Sequence, residues 1–107
     1  MRKLKTLLVL ILIISCKNST NKLNNLSNGI YCAEVDYNNP KTKANRNYNL
    51  SVEIRDKSLV KIYFTNGGWL DDSHFIPPCF SNKKAFFTDD KGRVFNIKIL
   101  EKGKCYD

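Results

Sequence analysis

Trp69, Asp71, Asp72 and His74 bring the only Trp and the only His of the chain within six positions, beside two carboxylates. An aromatic platform flanked by acids and an imidazole can hold a sugar, a peptide or a cation, so these four are the candidate binding residues. Polar turn residues commonly bond their own backbone, however. The expectation is therefore local: Trp69 closes one end of the core, Asp71 caps the turn left by Gly67-Gly68, and His74 bonds nearby. A zinc site needs three or four ligands, and only His74 and the distant Cys79 offer themselves, so no metal is expected. Asp71-Asp72 and Asp89-Asp90 lack the alternating acidic loop and distal Glu of a calcium site and read as surface turns. Ser73 adjoins His74, but neighbours on a strand point to opposite faces, and no Ser-His-Asp order with supporting glycines occurs. No catalytic residue, no cofactor and no enzyme are expected, since so small a domain leaves little room for a substrate cleft.

The elements that must position these residues are strands. The 107 residues allow one small domain, and 42% hydrophobic and 11% aromatic residues supply a core for it. Tyr31, Ala33, Val35 and Tyr37 alternate with Cys32, Glu34 and Asp36, which predicts a strand over 30–37. Residues 38–45 form a turn-rich basic connection. Tyr48, Leu50, Val52 and Ile54 then face one way and Asn49, Ser51, Glu53 and Arg55 the other. Asp56-Lys57 is a tight link to a third strand, 59–64, in which Val60, Ile62 and Phe64 share a face. Asn66-Gly67-Gly68-Trp69 breaks the chain, and 70–80, with Pro77-Pro78, reads as a crossover or short edge segment. Residues 85–88 and 94–100 make a second hairpin, with Phe95, Ile97 and Ile99 inward. No window carries helical spacing, so the expected fold is all-β: a small antiparallel meander or partly open barrel of about five strands.

The first residues read as an address. Arg2, Lys3 and Lys5 precede the apolar run from Leu7 to Ile14, which is too short to span a membrane. Ile13-Ile14-Ser15-Cys16 looks like a bacterial lipobox. Residues 1–15 are expected to be a signal peptide that is removed, Cys16 the lipidated first residue, 16–28 a polar flexible tether and 29–107 the domain. With Cys16 acylated, Cys32, Cys79 and Cys105 remain. Pairing Cys32 with Cys105 would tie the two ends of the domain together, and Cys79 would be left as a free, partly buried thiol.

The 18 Lys and Arg against 10 acids give +8, of which three positive charges leave with the leader. Seven basic residues lie between Lys83 and Lys104, with Tyr63, Phe86 and Phe87 as conceivable stacking faces. The aromatics fall mostly at core-facing positions, so a solvated surface is expected and no nucleic acid.

Several blocks resemble a family. Tyr31-Cys32-Ala33-Glu34-Val35, Tyr48-x-Leu50-x-Val52-Glu53-Ile54, Asn66-Gly67-Gly68-Trp69-Leu70-Asp71-Asp72-Ser73-His74-Phe75 and Phe87-Thr88-Asp89-Asp90-x-Gly92 are similar to small secreted or lipoprotein β domains of unknown function in Bacteroidota. The resemblance implies an envelope location, a β domain and an early-to-late disulfide, and carries no catalytic residue. Anchor, size and composition together point to a cell-envelope lipoprotein with a protein-binding domain, of the immunity or inhibitor kind, facing the periplasm, because no acidic cluster follows Cys16. The alternative is a small-ligand or glycan-binding module centred on Trp69.

Overall fold

The polar and apolar alternation forms strands because only one face of each can be buried, and every strand pairs antiparallel with its neighbour. A computed structural model describes residues 26–106; the leader, Cys16 and most of the tether lie outside them. The strands are β1 (Gly29–Asn39), β2 (Ala44–Arg55), β3 (Ser58–Tyr63), β4 (Trp69–Asp71), β5 (Lys84–Thr88) and β6 (Val94–Lys102). They form one sheet in the order β4-β3-β2-β1-β6-β5, curled into an open half-barrel, so the all-β, partly open barrel is the architecture found. The sixth strand is β4: the residues after the Gly-Gly turn, Trp69 included, add a short ladder to the edge of β3.

Turn chemistry fixes the hairpins. Asp56 and Lys57 both take positive φ, 52° and 66°, as a two-residue type I′ turn requires, and Asn28 Oδ1 accepts the Asp56 N–H. Asn82 and Lys83 repeat the device, with Ser81 and Lys84 exchanging both backbone hydrogen bonds, and so turn the crossover into β5. Gly67, at φ 93°, closes the turn before β4, where Gly68 N donates to Asn66 Oδ1. It is thus Asn66, and not Asp71, that caps this turn.

Two bulges change the expected facing. Glu53 pairs with Lys61 but Ile54 with Leu59, which leaves Val60 as the extra residue. Leu59 and Ile62 are therefore the fully buried side chains of β3, and Val60 is not. A second shift, between Cys32 and Ala33, leaves Leu100 outside the β1–β6 ladder and half-exposed.

The core fills the concave side with Ala33, Val35, Val52, Ile54, Ile97 and their neighbours. The crossover after β4 lies across the mouth. Leu59 N donates to Pro78 O at one edge and Asp90 N to His74 O at the other, while Phe75 and Phe80 plug the interior. Phe75, Phe87 and Phe95 stack in series with centroids 4.0 and 4.9 Å apart, and Tyr37 tilts against Phe95. Asp89, only 5% exposed, is not the surface turn residue it was expected to be. Its Oδ1 accepts the Lys91 and Arg93 N–H groups and its Oδ2 the Arg93 guanidinium. Burial pushes its pKa up, but the Arg93 side chain, the two backbone donors and the Arg93 charge outweigh that, holding the carboxyl below its ordinary value.

Candidate binding surface

The convex face of the sheet carries the polar half of each strand, and the register fixes which side chains meet there. Trp69 opposes Tyr63, Tyr63 opposes Ser51 and Ser51 opposes Cys32, in one row across four strands. In the next row Asp71 opposes Lys61 and Lys61 opposes Glu53. Lys61 Nζ lies 4.8 Å from the centroids of both the Tyr63 and Trp69 rings. Tyr63 Oη donates to Glu53 Oε1 at 3.3 Å, and Arg55 forms an ion pair with the same carboxylate.

Trp69 is 59% exposed, which corrects the expectation of a core tryptophan. The cause is register: Leu70, between Trp69 and Asp71, is the buried residue of β4, so the two flanking side chains must point outward. Asp71 caps the turn that follows it, since its Oδ1 accepts both the N–H and the hydroxyl of Ser73. The Ser73 hydroxyl, then the Ser73 N–H, holds the Asp71 pKa below its usual value, with smaller help from the nearby His74 and Lys61. His74 Nδ1 meets Asp90 Oδ2 at 2.7 Å, tying the crossover to the β5–β6 turn. Asp72 is exposed. Trp69 and Asp71 thus share one surface, whereas His74 is engaged at the turn beyond it and Ser73 with Asp71. The contact between a Ser nucleophile and a His base is not made.

Cys32 and Cys105 are bonded, with Cα atoms 4.6 Å apart. The bond holds the C-terminal tail against the convex face, where Cys105 N donates to Ser51 Oγ. Cys79 is disulfide-bonded as well, so the expectation of a free thiol there is corrected; no cysteine is free among the described residues. The described residues place no three His, Cys, Asp or Glu side chains close enough to hold a metal ion.

On the same convex face, beyond the disulfide, lies a feature that sequence reasoning missed: an open groove of about 520 Å³ over β2, β1, β6 and β5. Its floor is two further rows. Asn47, Asp36, Asn96 and Phe86 stand opposite one another in sequence across the four strands, and Glu34, Lys98 and Lys84 form the row beside them. One signal for it was present in the sequence. Phe86-Phe87 is an adjacent pair in a strand, so one ring must point to solvent; Phe87 is buried and Phe86 is 69% exposed.

Compared with models of known protein families, with curated proteins and with solved structures, the chain shows no significant match to any.

Proposed function

We propose that the chain is a lipoprotein of a bacterial cell envelope, anchored through Cys16 and facing the periplasm, whose β domain is a non-enzymatic module that grips a partner protein. A lipidated Cys16 has no thiol, so in this reading the disulfide of Cys79 is made with a cysteine outside the chain. Binding energy at protein interfaces concentrates in a few Trp, Tyr and Arg side chains held on rigid elements and ringed by polar groups. Trp69 is the residue of this kind. It is exposed on a strand, its ring is set by the Lys61 ammonium, and it stands beside Tyr63 within a Glu53–Arg55 ion-pair network. That observation supports the reading. An immunity or inhibitor protein works in this way, occupying its target by surface complementarity with no chemistry of its own.

The exposure of Trp69 also favours a second reading, a glycan or small-ligand site at the same ring. Lys61 already lies over one face of that ring, so a sugar would have only the other face to stack on. Titration of the single-Trp emission with candidate sugars separates the two readings.

The experiment is affinity capture of the tagged full-length protein from its own membranes after mild cross-linking, with intact mass read on the same sample. The proposal expects a lipid increment on a chain beginning at Cys16 and one stoichiometric partner, lost in Trp69→Ala. An unlipidated chain, or a partner retained undiminished by Trp69→Ala, contradicts it.

A further inference from the structure

The convex groove starts on β2, two strands from Trp69, runs across β1 and β6 to β5, and has its own charge pattern. Lys84 and Lys98 are directly opposed across the β5–β6 ladder, which brings their Cβ atoms to about 5 Å. Like charges so placed repel and cost stability unless an anion lies between them. The acid in position to neutralise Lys98 is its other cross-strand neighbour, Glu34. Its carboxylate is turned instead toward β2, where Glu34 Oε2 accepts from Asn47 Nδ2 at 3.1 Å. Among the described residues neither lysine takes part in an ion pair.

The adjacent row is of a different chemistry. Asp36 and Asn96 oppose one another beside the exposed Phe86 ring, with Asn47 next along. A carboxylate and two amides supply acceptors and donors suited to vicinal hydroxyls, and a flat exposed aromatic ring suits the C–H face of a pyranose. Residues i and i+2 of a strand share a face about 7 Å apart, so the lysine pair and the polar-aromatic row are separated by roughly the span of one sugar ring. The groove is also within the volume range of small-molecule sites.

We propose that this groove binds a soluble hexose phosphate, with the phosphate between Lys84 and Lys98 and the ring over Phe86, its hydroxyls meeting Asp36, Asn47 and Asn96. Lysine ammonium groups serve phosphate as point charges, and two converging on one dianion remove the repulsion between them. The site is independent of the Trp69 surface, and neither reading requires the other.

The test is a 31P NMR titration of the full-length protein in detergent with glucose 1-phosphate, beside inorganic phosphate as a second 31P probe and unlabelled glucose as a competitor. The expected result is saturable broadening by glucose 1-phosphate, at least ten-fold weaker binding of inorganic phosphate, and no displacement by glucose at equal concentration. Lys84→Gln/Lys98→Gln should weaken binding by about ten-fold or more, and Phe86→Ala by several-fold, while Lys84→Arg/Lys98→Arg retains it. All three positions are solvent-exposed, so these variants keep the fold, with far-UV circular dichroism as the check. Trp69→Ala should leave the titration unchanged. Inorganic phosphate binding as tightly as glucose 1-phosphate, absence of saturable binding, or binding undiminished in the double Gln variant overturns the proposal.

Discussion

Replacing both Cys32 and Cys105 by alanine should cost the domain most of its margin. The bond joins residues 73 apart in sequence. In the chain-entropy treatment, closing a loop of that length removes enough freedom from the unfolded chain to contribute about 4 kcal/mol at 25 °C. A domain of fewer than 100 residues is typically stable by only ~5–10 kcal/mol, and in this size range 1 kcal/mol shifts Tm by about 4–8 °C. The double variant should therefore melt roughly 15–30 °C below the parent. The double substitution is preferable to a reductant because Cys79 is disulfide-bonded too, and chemical reduction would not act on the Cys32–Cys105 bond alone. The assay is thermal and urea unfolding of the protein followed by circular dichroism, with the m-value compared to detect a change in the unfolded state. A drop under about 5 °C would refute the reasoning, and would mean that the β1–β6 ladder already restrains the unfolded chain or that its ends cost little to bring together.

Three further outcomes follow from the same structure. Asp89→Asn should lower stability at neutral pH by about 2 kcal/mol, since it weakens a buried, charge-assisted cluster with Arg93. Because the folded pKa lies below the unfolded value of about 3.9, the parent's advantage should be complete above that pH and fade as pH falls through the folded value, which urea unfolding at a series of pH values would show. Lys57→Gly should raise stability by roughly 0.5–1 kcal/mol, because the strain at φ 66° exceeds the added entropy cost of glycine; a lower urea midpoint would contradict the type I′ turn. Trp69→Ala should change Tm by only a few degrees, as expected of a side chain that projects from the sheet, and a large loss of stability would return Trp69 to the core.

The strands of the two main hairpins were legible because each buries one face, and a period of two is then written directly into β1, β2 and β6. Asp56-Lys57 was recognisable as a tight link by its length alone. The facing of β3 was not, since a bulge at Val60 breaks the alternation and leaves no trace in residue type. Trp69 was misplaced for a related reason: three residues are too few to display a period, and a large aromatic next to a Gly-Gly turn reads as a core lid. Asp89 was taken for a surface residue because its partner, Arg93, meets it only after the turn has formed. Pairing of Cys32 with Cys105 was legible from the positions of the ends, whereas the bond at Cys79 was not, because no second strand end in the sequence marks a partner for it. The convex groove stayed hidden because cross-strand register decides which polar residues meet. Asp36 and Asn96, 60 positions apart, look like unrelated surface residues until β1 and β6 are paired.

The central claim is that Trp69 is the contact point of a partner protein, and photo-cross-linking from that position in native membranes tests it most directly. A photo-reactive phenylalanine analogue at position 69 of the full-length protein is compared with the same analogue at position 57, in the β2–β3 turn. The account predicts one discrete adduct from position 69, with a single protein identified by mass, and none from position 57. Equal, diffuse adducts from both positions, or none from position 69, would contradict it.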